Sequence, residues 1–133
     1  MKALDTNAIV RFLVRDDEKQ AQAIRKILRE AEEKSETLYI SSPVILETIW
    51  VLFSVYKCSK EDIIRDLEDL LILPVLDIQS HECITTLCRI AQFSKIDLED
   101  IFIGLTALDA GCETTLTFDR KAAKSDLFTL ISR

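Results

Sequence analysis

Four carboxylates carry the chemistry open to this chain: Asp5, Glu47, Asp100 and Asp119. Asp5 ends the short apolar stretch at the N-terminus, and Ala8-Ile9-Val10 turns apolar again after it. A carboxylate at such a junction costs free energy unless charge or hydrogen bonding opposes it. A cap on the following helix, by Asp5 or Thr6, is the plainer account of that position. Glu47 sits inside the apolar run Val44–Phe53. Its neighbours three and four residues away are Val44, Pro43, Trp50 and Val51, so the side chain is expected to point into an enclosed place and to need a partner there. A helix edge grazing solvent is the alternative. Asp100 falls about a turn beyond Asp97, itself a natural N-cap, with Ile103, Gly104 and Ala107 on its own face. Those small residues leave space over the helix, and a helix N-terminus favours the ionised acid. Asp119 follows the β-branched run Thr114–Phe118. Four such groups gathered at one place repel each other unless a cation binds. Hard divalent ions, Mg²⁺ or Mn²⁺, take oxygen ligands of this kind, activate water and stabilise charge on a phosphodiester.

The elements that would position these acids alternate along the chain. The stretch from Met1 to Val10 reads as a buried strand that stops at Asp5 and feeds a helix. Asp16 or Asp17 caps a second helix, with Ala21, Ile24, Leu28 and Ala31 on one stripe. Leu38–Ile40 is a short strand, and Ser42-Pro43 opens a helix that is apolar nearly all round and therefore expected to be buried. Ser59-Lys60-Glu61-Asp62 resembles a capping box with Asp in place of Glu. Leu73–Ile78 is a candidate strand with Pro74 at its edge or first residues. Ser80 caps a helix lined by Cys83, Ile84, Leu87, Ile90 and Ala91. The helix from Ile101 to Ala110 is closed by Gly111. Thr114–Phe118 is a strand, Arg120–Lys124 a basic helical turn, and Leu127–Ile131 a last strand. The alternation implies an α/β fold with a parallel sheet and helices on both faces. In such sheets, sites form beyond the carboxyl ends of strands, where strand order reverses. Asp5 and Asp119 would share that edge, within reach of Glu47 and Asp100.

Composition bounds the rest. The 133 residues suit one domain, and a hydrophobic fraction of 48% suffices for a core. No apolar run is long enough to cross a membrane, and Met1–Asp5 lacks the features of a secretory signal, so a cytoplasmic location is the default expectation. Cys58, Cys83, Cys88 and Cys112 form no CxxC pair and are expected as reduced thiols in or near the core. With one His, zinc chemistry and Ser-His or Cys-His mechanisms are poorly served. His81, in a helix first turn, suits a surface position. There is no G-x-S-x-G elbow, P-loop or Rossmann glycine motif. The net charge of −6 is the wrong sign for a simple nucleic-acid surface. It suits a basic partner or a pocket that holds cations.

Three stretches, LDTNAIVRFLVRDD, SSPVILETIWVL and DLEDIFIGLTALDAGCETTLTFDR, together resemble a PIN-domain protein, specifically the VapC-type toxins of toxin–antitoxin pairs. The resemblance covers nearly the whole chain, as a single domain over residues 1–133. It implies a three-layer α/β/α sandwich around a parallel sheet of about five strands. It also implies Mg²⁺- or Mn²⁺-dependent cleavage of RNA, a homodimer and inhibition by a small antitoxin protein. Asp5, Glu47, Asp100 and Asp119 match the family's acidic metal-binding quartet. Thr6, Asn7 and Thr117 match its flanking polar positions, which orient the acids. Many relatives carry another Asp and an aromatic just after Asp-Arg, where this chain has Lys121 and Ala122, so a supplementary acid is missing there.

The acidic balance and an RNA substrate are reconciled if metal neutralises the site and Arg11, Arg15, Arg120, Lys121 and Lys124 hold the phosphate backbone. Trp50, Phe53 and Tyr56 suit either the core or an interface with an antitoxin or second copy. Three other functions fit the same residues: a PIN nuclease of RNA processing, a catalytically silent binding module, and phosphoryl transfer on small molecules.

Overall fold

The computed structural model describes residues 1–132, which cluster into two compact units, one of residues 1–79 and one of residues 80–132. In the first unit, strands β1 (Lys2–Ala3), β2 (Leu38–Ile40) and β3 (Leu76–Ile78) form a parallel sheet in the order β1-β2-β3. Lys2 pairs with Leu38, and Leu38 in turn with Leu76. Helices α1 (Thr6–Val14) and α2 (Glu18–Glu33) connect β1 to β2, while α3 (Ser42–Ser54) and α4 (Lys60–Leu71) connect β2 to β3. α1 packs on α2 and α3, and α3 on α4. Ile9, Ile40, Ile45, Ile49, Leu52 and Leu67 fill this core, each at most 1% exposed.

Local chemistry sets the helix starts. Asp17 accepts a hydrogen bond from the Gln20 N–H, and Ser59 from the Asp62 N–H, so both helices begin on satisfied caps. Three expectations are corrected here. β1 is not buried: Lys2 and Ala3 are both exposed, because β1 lies at one end of the three-stranded order. Only Leu4 turns inward, its N–H bonding to the Tyr39 carbonyl. The strand expected from Leu73 starts at Leu76, because Leu73 and Pro74 belong to the turn that links it to α4. α3 is buried on one face only, through Ile45, Thr48, Ile49 and Leu52. Trp50 and Phe53 are 55% and 61% exposed. Tyr56 is instead tied to its own unit, accepting from Arg11 and donating to Asp16.

In the second unit, α5 (His81–Ala91) packs on α6 (Leu98–Asp109), and β4 (Thr115–Thr117) pairs parallel with β5 (Phe128–Leu130). Between the strands lies a 3-10 turn, Ala122–Lys124. Ile84, Leu87, Ile101, Phe102, Leu127 and Phe128 are buried. Gly111 lies in the turn just past α6, and its φ of +98° is the left-handed conformation that glycine adopts without strain. The Cys112 N–H closes that turn on the Ala107 carbonyl. All strand pairings among the described residues are parallel, as expected for an α/β chain. They build one three-stranded and one two-stranded sheet rather than a single sheet of about five. Within the first sheet the order is sequential, so no reversal point lies inside it.

Candidate functional site

Asp5 is the N-cap of α1. Its backbone is extended, and its Oδ1 accepts the Ala8 N–H at 2.9 Å. The plainer account of Asp5 is therefore correct, and it does not exhaust the residue. The cap uses one oxygen and fixes the carboxylate, while the side chain remains exposed. Thr6, the first residue of the helix, is buried, and Asn7 is exposed beside it.

Glu47 lies in the middle of α3 and is exposed, so the expectation of an enclosed side chain is corrected. The reason is the helical phase: Glu47 shares its face with Pro43 and Trp50, both exposed, opposite the buried Ile45, Ile49 and Leu52. Of its apolar neighbours, Pro43 and Trp50 are themselves exposed, and Val44 and Val51 are half-buried. Thr48 next to it is fully buried, and its Oγ1 has no hydrogen-bond partner among the described residues.

Asp100 lies in the first turn of α6 and is half-buried. Burial raises its pKa above the usual aspartate value, and the nearby charges of Asp97 and Asp119 raise it further. Lys121 pulls in the other direction, and these raising influences outweigh both it and the helix N-terminus that was expected to favour the ionised form. The space expected over this helix is filled. A Cβ on Gly104 would stand 2.9 Å from the Leu127 Cβ and 3.1 Å from the Phe128 ring, so glycine permits the close approach of β5.

Asp119 follows β4 and is held by a chain of local bonds. The Thr117 hydroxyl accepts the Asp119 N–H at 2.9 Å. The Asp119 Oδ1 accepts the Lys121 N–H at 2.8 Å and the Ala122 N–H at 3.2 Å. Thr117 thus positions the backbone of Asp119, and two amides position its carboxylate.

Among the basic residues expected at RNA, Arg11 is the most committed within the fold. Its guanidinium donates to Gln20, Asp16 and Tyr56, and the Tyr56 hydroxyl bond is the main cause of its raised pKa. Arg15, Arg120, Lys121 and Lys124 are exposed. The Lys121 ammonium pairs with the Asp97 carboxylate at 3.3 Å. Asp97 makes no side-chain cap bond to α6, so its role as a cap is replaced by this ion pair. A pairing across 24 residues has no signature in local spacing. His81 is exposed, as expected of a surface residue. All four cysteines are free; Cys83 and Cys88 are buried, while Cys112 is exposed rather than in the core.

The four acids are divided evenly: Asp5 and Glu47 in the first unit, Asp100 and Asp119 in the second. Among the described residues, no three acidic, His or Cys side chains are gathered into a metal-binding group. The donor set is nonetheless of one chemical kind, all carboxylate oxygen. In the second unit, Asp97 and Asp119 are close enough to Asp100 to add to the rise in its pKa that burial causes. Residues of that kind fit a hard divalent cation, which would relieve the repulsion.

The PIN-domain family profile matches residues 2–126, a span that contains all four carboxylates. The chain belongs to the PIN-domain family. This PIN domain is 26% identical over 124 residues to a VapC ribonuclease of Aquifex aeolicus (strain VF5), covering 93% of the chain and 91% of the relative. No solved structure gives a significant match. Among the described residues, no helix of the PIN domain is long and apolar enough to cross a membrane.

Proposed function

We propose that this PIN domain is a metal-dependent endoribonuclease and the toxin of a type II toxin–antitoxin pair. Membership of the PIN family supports a nuclease, and the VapC ribonuclease relative supports RNA as substrate and an antitoxin as partner. The observation that carries the reading is the electrostatic state of Asp100. Burial raises the pKa of Asp100, the charges of Asp97 and Asp119 raise it further, and the Asp119 carboxylate is itself fixed by backbone amides, an arrangement that favours cation binding.

Asp5, Glu47, Asp100 and Asp119 hold the Mg²⁺ or Mn²⁺ in this proposal, with Thr6, Asn7 and Thr117 orienting them. When bound, such an ion supplies positive charge opposite the phosphate and lowers the pKa of water. The protein's own part is to fix the acids. The α1 cap holds Asp5, and the amides of Lys121 and Ala122 hold Asp119, so neither carboxylate has to be ordered when the ion arrives. Arg15, Arg120 and Lys124 are free to meet the RNA backbone. Arg11 would have to exchange Asp16 for phosphate. The exposed Trp50 and Phe53 suit a homodimer or the antitoxin, and a cytoplasmic location follows from an RNA target.

The test is cleavage of a mixed RNA pool by pure protein with Mg²⁺, with Mn²⁺ and with EDTA, beside Asp5→Asn. Cleavage with either metal, lost in EDTA and in the variant, is expected. Cleavage that persists in metal-stripped buffer would overturn the mechanism.

A further inference from the structure

A cleft of about 710 Å³ opens on the second unit, between the connection from α5 to α6 and the segment that carries the 3-10 turn. Its size lies within the range of about 300–1,000 Å³ that small-molecule sites occupy. Its lining combines three lysines, Lys95, Lys121 and Lys124, with one acid, Asp126, and apolar walls that include Ile96. That balance is the reverse of the chain as a whole, which carries −6. The Lys121 ammonium is engaged by Asp97, but Lys95 and Lys124 form no ion pair among the described residues. Phe93 completes the lining, and it is 89% exposed, the most exposed large apolar side chain of the chain. An aromatic ring left in water beside uncommitted ammonium groups is the pairing used to hold single-stranded nucleic acid, with bases on the ring and phosphates on the cations.

The position ties the cleft to the acids. Lys121 lines it, and the backbone N–H of the same residue bonds to the Asp119 carboxylate at 2.8 Å. We propose that this cleft seats one nucleotide of single-stranded RNA beside the scissile phosphate, its base stacked on Phe93 and its phosphate between Lys95 and Lys124. The proposal rests on the ribonuclease reading above. It gives that reading a specificity subsite made of residues outside the acidic quartet. Asp126 is the one group of the lining that opposes an anion, and its carboxylate is suited to accept from a base edge.

The experiment measures binding of a fluorescein-labelled, mixed-sequence RNA 12-mer to the full chain by anisotropy in EDTA, so that nothing is cut. Phe93→Ala is expected to weaken binding roughly 5- to 150-fold, the range for loss of one stacked base, and Phe93→Tyr to keep it. Lys124→Ala is expected to lower the salt slope of log K by about 0.7, the value for one phosphate contact on a single strand. Phe93 is exposed, so its loss leaves the core intact. Wild-type binding and salt slope in all these variants would overturn the subsite, while metal-dependent cleavage lost in Asp5→Asn would leave the nuclease standing. Binding that depends on Phe93 without any metal-dependent cleavage would uphold the subsite and sink the nuclease. Binding of a labelled glutamate-rich peptide at the same residues, with no RNA bound, would overturn the choice of ligand.

Discussion

Asp119 shows how much of this chemistry depends on single hydrogen bonds. Three short bonds, from Thr117 through Asp119 to the amides of Lys121 and Ala122, leave its carboxylate a fixed direction. Asp100 has no such bonds among the described residues, and its character is set by burial and charge instead. Its raised pKa fixes the sign of a pH effect. A metal ligand must be ionised, and a carboxyl that keeps its proton to higher pH loses metal earlier as pH falls. Lys121 is the cation that lowers this pKa, and Asp97 is a charge that raises it. Lys121→Ala should therefore move the acid limb of Mn²⁺ binding to higher pH, and Asp97→Asn should move it to lower pH, as read by calorimetry across the acid range. Limbs that stay in place, or that shift in the opposite order, would show that Asp100 is not a ligand. These residues stand out in the sequence as candidates because acids that interrupt apolar runs are conspicuous. The sequence did not make their surroundings legible. Glu47 looked enclosed because its neighbours three and four residues away are apolar, yet apolar neighbours on an exposed face give the same pattern.

At the scale of elements, periodicity and caps located the helices well. Asp17 and Ser59 cap their helices through the expected side-chain bonds, and Gly111 ends α6 in the left-handed conformation. Strands were harder, because each spans only two or three residues and the pattern of two cannot be distinguished over so short a length. The division of the strands between two sheets depends on pairing partners far apart in sequence, for which no local signal exists. Gly104 illustrates the same limit. Its smallness was visible and pointed to empty space, whereas the structure places Leu127 and Phe128 against it. The Leu127 Cβ is fixed by its backbone and cannot rotate away, so Gly104→Ala must displace β5 or α6. A loss of about 1–3 kcal/mol is expected, read as a lower urea midpoint at unchanged slope. A neutral or stabilising effect would mean that the two elements are not packed this closely. Phe93 and Lys95 also escaped sequence reading, since an aromatic just past a helix end looks like any other loop residue.

For the whole molecule, the conflict between an acidic chain and the proposed RNA substrate is one of distribution rather than of total charge. The surplus of acid includes the four carboxylates that a cation would neutralise, while Lys95, Lys124, Arg15 and Arg120 remain free of ion pairs among the described residues. The central claim is the proposed one, that the carboxylates Asp5 and Asp119 serve as metal ligands. Anything that binds only the folded chain stabilises it, by about 2.7 kcal/mol at a hundredfold excess over Kd. The most direct measurement is a Mn²⁺ titration of the wild type, Asp5→Asn and Asp119→Asn, followed by calorimetry and by the thermal midpoint. The account predicts that the wild type binds Mn²⁺ and melts at a higher temperature with it, and that either substitution removes both effects. Binding that survives one of the two substitutions unchanged would contradict it.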